Sequence, residues 1–277
     1  MATSADVRLP DGRTIRVYDS GTTGSGELTV VWFHGSPQTG ALLTPLLDAA
    51  TARGIRLLSY GRPGYRGSTR VPGRAVYSAA DDVAGFADAL ELSQFAVMGA
   101  SGGGPHALAC AARLPGRVTA AVTFATLAPF DAGFDWFAGM VSDGALRAAV
   151  DGPDARTRFE ETAEFDPASF NARDYATLAG SWKSLGADVG VASADGPDGL
   201  ITDDLAFVAP WGFDVAAIAA PTLLVHGGDD RVVPAAHSDW LVHHIDDAEL
   251  WLRPRDGHIS VLEAAPVAFD WLRAHAG

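Results

Sequence analysis

The sequence predicts an α/β fold: a mostly parallel central sheet with helices on both faces, and a block of helices inserted into it. Three observations carry this. Strand-like and helix-like segments alternate over most of the chain. Several strand candidates, such as Val30-Val31-Trp32-Phe33 and Leu223-Leu224-Val225, are continuously apolar, as strands buried on both faces must be. The alternation breaks over residues 127–213, where aromatic and acidic residues mix without a buried β run.

Residues 7–21 read as two short strands around a Pro10-Asp11-Gly12 turn. A buried strand follows at 28–35, a helix at 40–53 and a strand at 54–61. Over 75–91, Val76, Ala80, Val83, Phe86, Ala87 and Leu90 recur at helical spacing. Residues 94–100 form a strand, a helix begins within 102–115, and 117–126 is again a strand. In the middle block, helices are expected near 131–149, 155–164 and 171–185. The alternation resumes with a strand at 221–227, a helix near 234–245, a strand at 248–254 and a last helix at 259–275. The organisation is therefore a core of residues 1–126 and 214–277, carrying an inserted helical lobe at 127–213.

The chain has 277 residues, 48% of them hydrophobic, enough for one large core and a modest lobe. A net charge of −14 with no basic stripe excludes nucleic acid as a partner and disfavours an anionic membrane surface. No apolar run approaches the roughly 18 residues that would span a bilayer. The single cysteine, Cys110, cannot form an internal disulfide, and the N-terminus lacks a charged-then-apolar signal pattern. These features lead us to expect a cytoplasmic protein, as monomer or homo-oligomer.

In a sheet of this kind ligands bind beyond the carboxyl ends of the strands. The polar residues there are His34-Gly35-Ser36-Pro37, Gly99-Ala100-Ser101-Gly102-Gly103, His226-Gly227-Gly228-Asp229-Asp230 and Asp256-Gly257-His258. The second group fits G-x-S-x-G and fails both G-x-G-x-x-G and the P-loop pattern. Glycines flank a nucleophilic serine because it occupies an unfavourable backbone region on a sharp strand-to-helix turn. A serine hydroxyl needs a base to take its proton. Ser101, Asp230 and His258 follow the order nucleophile, acid, base expected for this turn. His258 is assigned as general base and then general acid, and Asp230 as the group that orients it. Asp229 is the alternative acid, and a more remote one lies near Asp131 or Asp135. Gly102 supplies one oxyanion N–H, and Ser36 is the candidate for the second.

At these residues the chain resembles the α/β-hydrolase superfamily, over nearly its whole length. The matching pieces are His34–Pro37, Arg62–Ser68, Gly99–Gly103, His226–Pro234 and Asp256–His258. The resemblance implies that Ser36 gives an oxyanion N–H, that Asp230, four residues before Pro234, is the acid, and that 127–213 is the cap over the site. One departure is Gly61, where the family often has Asp before Arg-Pro-Gly. A serine at position 101 argues against the branches that use Asp as nucleophile.

The other candidates read as structural. His34 and His226 end strands. His243 and His244 are adjacent and face different ways on a helix. His106 and Cys110 are an i, i+4 pair under Ser101. The aromatic residues Phe130, Phe134, Trp136, Phe137, Trp182 and Trp211, with Pro37, are expected to line an apolar pocket. The expected reaction is hydrolysis of a small-molecule ester or lactone with an apolar or aromatic part, with no metal and no organic cofactor. Three alternatives are a proline-iminopeptidase-like enzyme using Glu160, Glu161 or Glu164 to hold an amine, a cofactor-free haloperoxidase or lyase on the same triad, and a non-catalytic receptor.

Overall fold

A computed structural model describes residues 2–21 and 28–276. The described residues form an eight-stranded sheet of β1 (Thr3–Arg8), β2 (Thr14–Asp19), β3 (Thr29–Phe33), β4 (Arg56–Tyr60), β5 (Phe95–Ala100), β6 (Val118–Phe124), β7 (Thr222–Gly227) and β8 (Ala248–Arg253). Their order is β1-β2-β4-β3-β5-β6-β7-β8. β3 to β8 run parallel, while β1 and β2 pair antiparallel at one edge.

The apolar strands divide their side chains between two cores. Val30 and Trp32 of β3 pack with Leu46 of α1 (Thr44–Thr51) and Phe269 of α10 (Ala265–His275). Val31 and Phe33 pack with Val83 and Phe86 of α2 (Ser78–Ala89) and Leu108 of α3 (Gly104–Arg113). This is the period-two alternation of a strand, with both faces claimed. The last helix of the first half, α3, is alanine-rich because it is buried from Gly104 to Ala111.

Five helices lie between β6 and β7: α4 (Gly144–Val150), α5 (Pro153–Glu160), α6 (Ala172–Ala179), α7 (Lys183–Ala194) and α8 (Asp198–Val208). A short α9 (Ala236–Val242) links β7 to β8. The inserted helices differ from expectation in three places. Residues 131–142 turn instead of forming a helix, and Gly133 and Gly139 there have φ of +82° and +91°. The helix expected at 171–185 breaks at Gly180, whose φ and ψ of −109° and −113° leave the helical region. Helix α8 was not expected at all. It carries two adjacent aspartates, Asp203 and Asp204, and both are buried.

Trp182 is 1% exposed and belongs to the core that holds Leu185, Val261 and Leu262. It therefore packs the insert onto the sheet side, contrary to the expectation that it lines a pocket. Truncating a buried Trp loses both transfer energy and packing. Trp182→Ala should cost about 3–5 kcal/mol of unfolding free energy in a urea titration. A cost near zero would mean that this side chain is not a packing element.

Candidate active site

β5 delivers the chain into a one-turn 3₁₀ segment, Ser101–Gly103, and then into α3. Ser101 has φ +52°, the left-handed region that a residue with a Cβ normally avoids. The turn is that tight because strands and helix meet without side chains between them. A Cβ on Gly99 would lie 2.6 Å from the Gly103 carbonyl oxygen. One on Gly103 would strike the Phe33 carbonyl, and one on Gly104 would strike the Thr126 side chain. Gly104 is thus required by the chain leaving β6.

His258 bridges the serine and a carboxylate. Its Nε2 is 2.9 Å from Ser101 Oγ, and its Nδ1 is 2.8 Å from Asp230 Oδ2. Asp230 Oδ1 accepts from the N–H groups of Val232 and Val233, each at 2.9 Å. Its ionised form is favoured strongly. Burial alone would raise the carboxyl, but His258 and His226 beside it hold it far below the usual range. His258 is buried too, which works against its charge, yet the Asp230 carboxylate leaves its pKa raised above the ordinary histidine value. Asp229 points elsewhere, pairing with Arg231 at 3.1 Å and accepting from Asn171 at 3.0 Å. Asp131 and Asp135 are exposed.

Ser36 and Gly102 face each other across the site, since a Cβ on Gly102 would lie 3.2 Å from Ser36 Cβ. Beneath Ser36 is a buried charge cluster. Arg62 Nη2 donates to Asp203 Oδ2 at 2.6 Å and to Ser36 Oγ at 2.9 Å, and Arg62 also donates to the His34 carbonyl. Ser36 Oγ donates to Asp203 Oδ2 at 2.5 Å, and Tyr65 Oη donates to the same oxygen at 2.8 Å. Arg74 bonds Asp203 and reaches His106 Nε2 at 3.1 Å. His106 Nδ1 in turn donates to the Gly102 carbonyl at 2.8 Å. Burial opposes the Asp203 charge, but two guanidiniums hold its carboxyl well below the usual range. Burial, with Arg62 close by, pushes His34 and His106 well below theirs, so both are neutral hydrogen-bonding groups.

A cavity of about 450 Å³ opens on Ser101 and His258. Pro37 lines it, as do Ser36 and Gln38. Its apolar wall comes from Phe165, Phe170, Leu178, Leu185 and Val189 of the insert, with Ile259 and Leu262 of the core. No Asp, Glu, Lys or Arg is among its lining residues. The aromatics expected there lie elsewhere. Phe130, Phe134, Trp136 and Phe137 form an edge-to-face cluster with His237, with ring centres 5.1–5.9 Å apart. His237, its pKa lowered to about 3 by burial, accepts from Ala128 N–H and donates to the Trp136 carbonyl. Trp211 is buried and spends its Nε1–H on the Phe207 carbonyl. These rings pack on one another and on the core, and none of them lines this cavity. The sequence signal that was missed is aliphatic: Leu185 and Val189 are four apart on α7, with Gly186 between them leaving room.

The remaining polar candidates are accounted for locally. His226 bonds Ser238 and the Val233 carbonyl, 3.5 Å from Asp230. His243 and His244 each donate to the carbonyl four residues back. Burial pushes the Cys110 thiol up. Glu160 pairs with Arg156 at 2.8 Å, and Glu161 and Glu164 are exposed. No helix among the described residues is long and apolar enough to cross a membrane.

Residues 29–265 match the family model described as the alpha/beta hydrolase fold. The chain belongs to this family. Among its relatives, the α/β hydrolase is 24% identical over 241 residues to the serine hydrolase BPHL of Mus musculus, covering 85% of this chain and 74% of that one. It is 28% identical over 246 residues to the pimeloyl-[acyl-carrier protein] methyl ester esterase of Nitrosomonas europaea, covering 87% and 92%. The enol-lactonase of Burkholderia xenovorans LB400 shares its fold, with a TM-score of 0.71 at 20% identity, covering 98% and 99%.

The departure at Gly61 has a local reason in this α/β hydrolase. A Cβ there would lie 3.0 Å from the Thr39 carbonyl oxygen and 3.1 Å from that of Tyr65, so any side chain would have to push these carbonyls back. The carboxylate that meets Arg62 arrives from α8 as Asp203. Removing one partner of a buried ion pair leaves a buried charge uncompensated, at a cost of about 3–5 kcal/mol. Asp203→Ala, which strands Arg62 and Arg74 together, should lose that much in denaturant unfolding. An unfolding midpoint unchanged from wild type would show that the cluster is not holding the fold.

Proposed function

We propose that the protein hydrolyses a small carboxylic ester or lactone with a neutral, apolar acyl or alkyl part. The observation that carries this reading is the position of His258, within hydrogen-bond reach of both Ser101 and Asp230, at the mouth of an uncharged cavity. Ser101 Oγ attacks the carbonyl carbon as His258 Nε2 takes its proton. The oxyanion is met by the backbone N–H groups of Ser36 and Gly102. His258 then protonates the departing alkoxide, leaving an acyl group on Ser101. A water, deprotonated by His258, attacks that acyl carbon, and the acid leaves as Ser101 recovers its proton. Asp230 remains ionised and steadies the imidazolium.

Residues 127–213 act as the cap, since Phe165, Phe170, Leu178, Leu185 and Val189 of this stretch supply much of the apolar wall. An amine-binding peptidase gains no support, because Glu160, Glu161 and Glu164 are not among the residues that line the cavity. The single buried thiol suits a cytoplasmic setting.

One relative is named a serine hydrolase and the other a methyl ester esterase, which supports this reading at the level of hydrolase chemistry. A panel of chromogenic esters and lactones tests it, with proline naphthylamide as the peptidase control. The wild type should turn over the uncharged esters and leave the naphthylamide intact. Ser101→Ala should lower turnover by roughly 10⁶-fold, as loss of a serine nucleophile does. Equal rates for the two proteins would end the proposal.

The pH dependence follows from His258. Only the neutral imidazole accepts the Ser101 proton, and Asp230 raises the pKa of His258. Activity should therefore be lost as pH falls, with kcat/KM bending at a value above the ordinary histidine pKa of about 6.5. A limb below that value would contradict the assignment of His258 as base.

A further inference from the structure

Three residues within one short stretch of the insert, Asn171, Arg173 and Asp174, reach both loops that hold Asp230 and His258. Helix α6 opens with a capping box: Asn171 Oδ1 accepts from the N–H groups of Arg173 and Asp174, and Asp174 Oδ2 accepts from Asn171 N–H. The box leaves other atoms free, and those reach the core. Asn171 Nδ2 donates to Asp229 Oδ2 at 3.0 Å, next to Asp230. Arg173 Nε donates to Asp256 Oδ1 at 2.9 Å, two residues before His258. Asp174 Oδ1 accepts from Ile259 N–H at 3.0 Å, Ser260 N–H at 2.8 Å and Ser260 Oγ at 2.8 Å, immediately after His258. Asp174 is 0% exposed, and so has no water to offset the loss of these partners.

Gly257 records how close this contact is. A Cβ there would strike Asp174 Oδ2 and lie 2.7 Å from Asn171 Nδ2. Gly257 is not among the positive-φ glycines, so the proximity of α6, and not backbone strain, is what requires a glycine.

We propose that Asn171, Arg173 and Asp174 are positioning residues: the start of α6 clamps the loops after β7 and β8, and so holds His258 in line with Ser101 and Asp230. Its bearing on catalysis rests on the hydrolase reading above, but the clamp itself does not. It makes the insert part of the scaffold of the site as well as the wall of its cavity. Asp174 also adds to the field at His258. The groups acting on that imidazole are Asp230 from the loop after β7 and Asp174 from α6, with Ser101 Oγ opposite and His226 behind Asp230.

The test follows the His258 imidazole by NMR through a pH titration, its resonance assigned by its loss in His258→Gln, and adds ester kinetics. Asp174→Asn keeps the shape and removes the charge, so it should lower the His258 titration midpoint. Asp174→Ala should lower kcat about 10²-fold with KM little changed, the scale of a misplacement of about 1 Å. Gly257→Ala presses on the clamp from the other side and should also lower kcat. Added to Asp174→Ala it should cost less than in the wild type, because the carboxylate its methyl would strike is gone and only the tip of the Asn171 side chain stays against it. A folded Asp174→Asn protein with the wild-type titration, together with wild-type kcat in Gly257→Ala, would overturn the proposal. The NMR readout needs no turnover. A shifted titration in a protein that hydrolyses no ester keeps the clamp and removes the hydrolase reading. Ester turnover with an unmoved titration and wild-type kcat in Gly257→Ala does the reverse.

Discussion

One imidazole has to meet a hydroxyl and a carboxylate at once, and much of this structure serves that requirement. Ser101 follows β5, Asp230 follows β7 and His258 follows β8. The parallel order β5-β6-β7-β8 brings all three to the same end of the sheet. The loops then meet directly. The N–H of Asp229 donates to the Asp256 carbonyl at 3.0 Å, and a Cβ on Gly227 would strike the carbonyls of Asp256 and Gly257. Glycine in both Gly-rich turns is a packing requirement before it is a chemical one.

The inserted helices are bound to the core by charge as well as by apolar contact. Three buried aspartates show how differently one residue type can be used. Asp203 is ionised between Arg62 and Arg74, and it fixes Ser36 from below. Asp174 spends its carboxylate on backbone N–H groups of the loop after His258. Asp204, next to Asp203, is pushed up to about 7 by burial even with Arg156 at 2.7 Å. The Asp204–Arg156 pair lies within the insert, so Asp188 of α7 adds the third link to the core, accepting from Thr39 N–H at 2.9 Å. Each link is local, and together they join the insert to both sides of the cavity.

The core strands were legible because burial on both faces writes itself as an unbroken apolar run. The serine turn was legible because its glycines are sterically obligatory. The insert was not. Helix α8 went unread, because a sequence does not show that two arginines some 130–140 positions before Asp203 will meet it. The aromatic residues misled in the opposite way. Phe130, Phe134, Trp136 and Phe137 looked like a ligand pocket, but large rings pack best against each other and took His237 into their cluster. Within the insert the cavity wall went to Leu178, Leu185 and Val189 with two other rings, Phe165 and Phe170.

The central claim is that Ser101 is made nucleophilic by His258. Covalent labelling with a fluorophosphonate, followed by mass spectrometry of the digested protein, tests it most directly. The account predicts one adduct per chain, on Ser101, formed far more slowly when His258 is replaced by alanine. An adduct on another residue, or a folded protein whose Ser101 stays unmodified, would contradict it.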